Sequence, residues 1–128
     1  MNQPRTVLLV EDEVMFRRSV ASYLKDSGYR VVEAGNGREG LEVFTVERPD
    51  VVITDLRMPE MDGLEMMARL KKLPGGDVPV LIITGTRDLT TQPASQDLGV
   101  WRYFLKPLAD MGELEVAIEQ AITGGRIP

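Results

Sequence analysis

Cysteine and histidine are both absent from the 128 residues. Without cysteine there is no disulfide framework, no thiolate zinc site and no cysteine nucleophile, a usage that fits a reducing compartment. Without histidine, imidazole acid/base chemistry, histidine metal ligation and a phosphohistidine on this chain are excluded. Any such group must come from a partner. Long apolar runs are missing too: the longest purely apolar stretches are Val7-Leu8-Leu9-Val10 and Val80-Leu81-Ile82-Ile83, whereas a membrane span needs about 20 residues. No basic segment followed by an apolar one precedes the first run, so a secretory signal is not expected and the cytoplasm is the expected location. Positive charge is in deficit, with 15 Lys+Arg against 20 Asp+Glu and a net charge of −5. That balance disfavours direct binding to nucleic acid, which rests on cationic side chains displacing counterions.

What is present is an ordinary globular composition, 43% hydrophobic and 27% charged. A chain of this length reads as one domain over residues 1–128, with a core from about 5 to 122 and a tail or the start of a linker at 123–128. Short β-branched runs alternate with amphipathic stretches, the rhythm of repeated βα units. Strands are expected at Thr6 to Val10, Arg30 to Glu33, Val51 to Thr54, Val78 to Thr84 and Trp101 to Leu105. Three of these are apolar enough to be buried on both faces, which argues for parallel strands covered by helices.

Helical faces are read at Phe16, Val20 and Leu24, at Leu41 and Phe44, and at Leu64, Met67 and Ala68. The last helix, with Leu114, Ala117, Ile118, Ala121 and Ile122, follows the helical template most closely. Ser27-Gly28 ends the first helix, Asn36 caps the second with Pro49 beyond it, and Pro74-Gly75-Gly76-Asp77 separates the third from the fourth strand. Residues Asp88 to Leu98 are read as a short or late fourth helix, because Pro93 is tolerable only in a first turn or as a break. Met58, Met61, Met66, Met67 and Met111 read as core and loop filling. Trp101, at the start of the fifth strand, is given no chemical role.

In an open α/β sheet, ligands bind outside the carboxyl ends of the strands. Here strand one ends in Glu11-Asp12, strand three in Asp55, strand four in Thr84 and strand five in Lys106. A single polar strand end carries little information, since strand ends meet solvent; their joint placement is the signal. Three carboxylates held together with one ammonium carry excess negative charge, which a divalent cation offsets. The donors are hard oxygens, so magnesium is expected, with manganese as the alternative. A carboxylate nucleophile, a divalent cation and a lysine are the parts for in-line phosphoryl transfer to Asp55. Thr84 is placed to donate its hydroxyl to the new phosphoryl oxygens.

Leu8-Leu9-Val10-Glu11-Asp12, Thr54-Asp55-Leu56-Arg57-Met58-Pro59 with Met61-Asp62-Gly63, Ile83-Thr84-Gly85 and Tyr103-Phe104-Leu105-Lys106-Pro107 together resemble the signature of bacterial response-regulator receiver domains. The resemblance spans residue 5 to about 122. It implies a flavodoxin-like, doubly wound α/β fold: a five-stranded parallel sheet in the order 2-1-3-4-5 with five helices in a three-layer sandwich. It implies a phosphoacceptor at Asp55, with magnesium held by Asp12, Asp55 and the backbone carbonyl of Arg57, and Glu11 acting through water. A sensor histidine kinase or a histidine phosphotransfer protein is the implied donor, and a downstream effector domain or protein the implied recipient. Thr84 and Tyr103 would then relay the modified state to the face made by the fourth helix, fifth strand and fifth helix. Such a domain is a two-component phosphorelay switch and not an enzyme, beyond self-phosphorylation and self-dephosphorylation at Asp55.

Gly85 is the small residue that leaves room for the incoming donor, while Arg57 and Thr86 are expected to tune water access to the acyl phosphate. Three rivals are weighed. An Asp-nucleophile phosphohydrolase of the haloacid-dehalogenase type needs a second Asp two residues after the nucleophile, where this chain has Arg57. A flavodoxin-like cofactor binder needs a first loop that welcomes phosphate, and Glu11-Asp12-Glu13 repels one. The third is a receiver-like interaction module that is never phosphorylated; it has no need of Asp12, Asp55, Thr84 and Lys106 together.

Overall fold

The computed structural model describes residues 3–85 and 100–124. Its elements run β1 (Thr6–Val10), α1 (Val14–Asp26), β2 (Arg30–Ala34), α2 (Gly37–Glu47), β3 (Val51–Thr54), α3 (Gly63–Leu70), β4 (Val80–Thr84), β5 (Val100–Leu105) and α4 (Met111–Ile122). The sheet order is β2-β1-β3-β4-β5, with every pairing parallel. This is the order the resemblance implies. Four helices lie among the described residues, and α4 is the fifth expected from the sequence. The expected helix at Asp88 to Leu98 falls outside the described residues, as do Thr86 and the tail from residue 125. Among the described residues, no helix is long and apolar enough to cross a membrane.

Alternation along the strands builds two cores. Val7, Leu9, Val51, Ile53, Leu81, Ile83 and Phe104 face α1 and α4; Leu8, Val10, Val52, Val80 and Ile82 face α2 and α3. The central strands are therefore apolar at successive positions because both faces are covered. Each large side chain taken fully out of water here stabilises the fold by roughly 1.5–3 kcal/mol. Those two cores fix the sheet, and the sheet fixes where its ends lie. In register, Val10 sits opposite both Ala34 and Thr54, and Thr84 opposite Leu105. The carboxyl ends of the strands therefore share one edge.

The expected punctuation is largely borne out. Ser27 caps α1, with Gly28 following at φ 101°. Asn36 Oδ1 accepts from the Glu39 backbone N–H at 2.8 Å to start α2. Four of the methionines read as core, Met58, Met61, Met66 and Met67, are buried, and Met111 packs partly buried against the α1/α4 core.

Four expectations need correction. β2 runs one residue further than expected, to Ala34, which pairs with Val10. β4 begins at Val80 and not Val78, because Pro79 has no N–H for the ladder and Val78 donates instead to Gly75 within the preceding turn, at 3.2 Å. β5 begins one residue earlier than expected, at Val100. Val80 pairs with Val100 but Leu81 with Arg102, so Trp101 is the extra residue of a bulge. The buried face of α3 is Gly63, Met66, Met67 and Leu70, with Leu64 half-buried and Ala68 exposed. In a helix of eight residues, a single small apolar residue on the outer face is enough to shift the apparent phase.

Candidate functional site

Four strand ends meet at the carboxyl edge. Glu11 leaves β1 with its backbone N–H donating to the Ala34 carbonyl at 2.9 Å, which ties it to the end of β2. Asp55 follows β3, its N–H donating to the Val10 carbonyl at 3.3 Å. Lys106 follows β5, its N–H donating to the Thr84 carbonyl at 2.9 Å. Backbone pairing thus carries the polar residues to one place before any side chain contributes.

The ammonium of Lys106 is the hub. Its Nζ lies 2.9 Å from Glu11 Oε1, 2.9 Å from Asp55 Oδ2 and 2.7 Å from Glu13 Oε1. The cation also sits over the Phe16 ring, 4.7 Å from its centroid. The other Asp55 oxygen, Oδ1, accepts from the Arg57 backbone N–H at 3.1 Å. Glu11 Oε2 accepts from the Glu13 backbone N–H at 2.9 Å. Ligand atoms from Glu11, Asp12 and Asp55 lie within 4.8 Å of one another. Glu11 and Asp55 are buried, at 1% and 6% exposure, and carboxylates are seldom buried unless paired.

That burial has electrostatic consequences. Desolvation pushes the Glu11 carboxyl up from 4.5 to about 7, against the lowering influence of the Glu13 N–H and of Lys106. Burial pulls the Lys106 ammonium down, but its hydrogen bonds to Glu13, Asp55 and Glu11 outweigh that and hold it above the ordinary lysine range. The amine therefore stays charged, and Glu11 shifts between its two states near neutrality. The donor set, three carboxylates without nitrogen or sulfur, fits a hard divalent cation.

The loop that follows Asp55 is held by a close approach. A Cβ on Gly63 would lie 2.1 Å from the Asp55 carbonyl oxygen, so only glycine lets α3 start directly beneath the end of β3. Its N–H donates to the Leu56 carbonyl at 3.0 Å, closing the turn that carries Arg57. The side chain of Arg57 is exposed at the rim. Gly85 lies beside the Lys106 stem, where a Cβ would make only ordinary contact at 3.6 Å.

Thr84 is fully buried at the end of β4. On β5, Tyr103 packs against the core that faces α2 and α3. Its hydroxyl is buried with no hydrogen-bond partner among the described residues, and burial raises its pKa. The sequence reading missed Glu13 as a partner of Lys106. The signal was the unbroken acidic run Glu11-Asp12-Glu13, of which only the first two residues were assigned to the site.

A family model for the response regulator receiver domain matches residues 7–119. The chain belongs to that family. Among curated relatives, the transcriptional regulatory protein PdtaR of Mycobacterium tuberculosis is 36% identical over 121 residues, covering 94% of this chain and 58% of that protein. The transcriptional regulatory protein GlrR of Escherichia coli is 37% identical over 121 residues, covering 94% of this chain and 27% of that protein. The receiver described here thus spans little more than half of one relative and about a quarter of the other.

Solved receivers are similar throughout. A CheY-like receiver domain protein from Methanospirillum hungatei has a TM-score of 0.87 at 25% identity, covering 94% of this chain and 95% of that one. A receiver from Clostridium thermocellum has a TM-score of 0.86 at 31% identity, covering 95% and 97%. This receiver is accordingly a regulatory domain of two-component signalling, with the CheY-like fold.

Proposed function

We propose that this receiver accepts a phosphoryl group on Asp55 from a partner phosphohistidine and uses the modification as a switch. One observation carries the reading: the buried Asp55 carboxylate is held between the Lys106 ammonium at 2.9 Å and the Arg57 backbone N–H at 3.1 Å, beside two further carboxylates. In the transfer, a carboxylate oxygen of Asp55 forms the new O–P bond. The P–N bond of the donor breaks, and its electron pair returns to the partner's imidazole. Lys106 supplies fixed positive charge to the phosphoryl oxygens, and Thr84 donates its hydroxyl to one of them.

Glu11, Asp12 and Asp55, with the Arg57 carbonyl, are the residues that would hold magnesium. Bound there, the ion neutralises charge on the phosphoryl oxygens. Gly85 leaves the mouth open to the donor, and Arg57 and Thr86 set how readily water reaches the acyl phosphate.

The modification adds negative charge and acceptor oxygens at the ends of β4 and β5. Thr84 and Tyr103 are the two-state elements that respond, and the face made by β5, α4 and the fourth helix expected from the sequence carries the signal to an effector. A sensor kinase or phosphotransfer protein donates, an effector domain or protein receives, and the cytoplasm is the setting. The test is intact mass after incubation with acetyl phosphate and magnesium, with Trp101 and Tyr103 fluorescence under a beryllofluoride mimic. A magnesium-dependent adduct and a spectral change, both lost in Asp55→Asn, support the switch. No change in either protein favours an interaction module that is not phosphorylated.

A further inference from the structure

Arg17 stands in the first turn of α1, a helix whose first turn holds no acidic residue. A cation there opposes the helix dipole, so its presence needs another cause. Nor is the helix start otherwise served. Glu13 occupies the cap position without a side-chain cap bond; its carboxylate goes to Lys106 and its N–H to Glu11 Oε2. The start of α1 is arranged for the site at the expense of the helix.

The Arg17 guanidinium makes two bonds that explain it. Nη1 donates to the Glu11 backbone carbonyl at 2.9 Å, and Nε donates to Glu33 Oε1 on β2 at 2.9 Å. The pair is largely sheltered, with side-chain exposures of 17% and 27%. Lys25 approaches the other Glu33 oxygen at 3.8 Å. The peptide joining Glu11 to Asp12 is thereby held through its carbonyl, while the Glu11 N–H is held by Ala34. Docking of α1 does not require this clamp, because Val20, Ala21 and Leu24 are already buried in the core.

We infer that Arg17 is a positioning residue: by gripping the Glu11 carbonyl and anchoring on Glu33, it aims the Glu11 and Asp12 carboxylates at the cation position. The inference rests on the magnesium reading given under Proposed function. A guanidinium makes both bonds because its Nε and Nη donors are fixed in one plane. A lysine has one donor centre and cannot reproduce the pair.

The test is calorimetric titration of magnesium into the wild type, Arg17→Ala, Arg17→Lys and Glu33→Gln, with melting temperatures taken in chelator alongside. Arg17→Ala is expected to weaken magnesium about tenfold, the usual cost of removing a partner that orients a ligand. Arg17→Lys should stay weak despite keeping the charge, whereas Glu33→Gln keeps an acceptor for Nε and most of the affinity. The rate of phosphorylation by acetyl phosphate should return to the wild-type plateau at saturating magnesium. Wild-type affinity in Arg17→Ala overturns the inference whatever its melting temperature, and so does full affinity in Arg17→Lys, which alone decides if the alanine variant does not fold. A wild type that takes up no magnesium overturns the site reading first, and this inference with it.

Discussion

The same strands end in polar residues at both edges of the sheet, yet the two edges treat them oppositely. At the amino edge, the exposed Asp50 accepts from the Thr6 N–H at 2.8 Å and returns its own N–H to the Thr6 carbonyl at 2.8 Å. That reciprocal pair ties the start of β1 to the start of β3, with its charge left in water. At the carboxyl edge the polar groups go inside. Every buried polar or charged residue among those described, Glu11, Thr54, Asp55 and Thr84, lies there. Burying carboxylates beside one another costs free energy that a surface pair avoids, so closing a strand end does not account for it. The proposed site, which would hold a cation and an anion together, does.

The largest expected effect breaks the carboxyl edge at its hub. Lys106→Ala leaves Glu11 and Asp55 buried without their common ammonium, and removing one partner of a buried ion pair costs about 3–5 kcal/mol. Denaturant titration in chelator should show that loss, and added magnesium should recover part of it. An unchanged midpoint would mean that the carboxylates do not depend on Lys106, and the contrast between the edges would fail.

Two glycines sharpen the contrast by applying similar strain at the two ends. A Cβ on Gly63 meets the Asp55 carbonyl oxygen at 2.1 Å, and one on Gly76 meets the Leu70 carbonyl oxygen at 2.3 Å. Both alanine variants are expected to lose about 2 kcal/mol, as overpacking against backbone does. Only Gly63→Ala should also slow phosphorylation by acetyl phosphate, because only it displaces Asp55, the proposed acceptor. Equal slowing in Gly76→Ala would make the effect one of general stability.

A smaller effect follows from Glu11, held near 7 instead of 4.5 by burial. Because its folded value is raised, the folded metal-free protein keeps a proton that the unfolded chain has lost. Stability from this group is therefore full below about 4.5 and declines as pH rises towards about 7. Thermal melts in chelator should show that slope, and Glu11→Gln should flatten it. Magnesium competes with the same proton, so its affinity should fall about tenfold for each pH unit below neutrality, about 1.4 kcal/mol.

Legibility in the sequence followed the range of the interaction. β1 and β3 were readable because apolar runs with polar stops are local, and the convergence of Asp12, Asp55, Thr84 and Lys106 followed from a rule about strand ends. The Glu13 to Lys106 bond joins residues 93 apart, and Arg17 reaches Glu33 across 16. Neither leaves a periodic trace, since each depends on side-chain direction after folding. The bulge at Trp101 depends likewise on register against β4. α3 was expected and is present, but its buried face was misread for a different reason: with Met66 inward and Ala68 outward, hydrophobicity does not report the face in so short a helix.

The smallest prediction closes the contrast from the amino edge. Asp50→Asn keeps an acceptor oxygen for the Thr6 N–H but removes the charge, so only the charge-assisted part of that bond is lost. An exposed hydrogen bond of this kind contributes about 1 kcal/mol, and the variant should lose less than that in a denaturant titration. Magnesium affinity and phosphorylation should match the wild type, because Asp50 lies at the opposite end of β3 from Asp55. A carboxylate at one end of this strand is then a surface fastening, and the carboxylate at the other the proposed acceptor. Any loss of magnesium affinity in Asp50→Asn would show that the two edges communicate through the strand and are not separable in function.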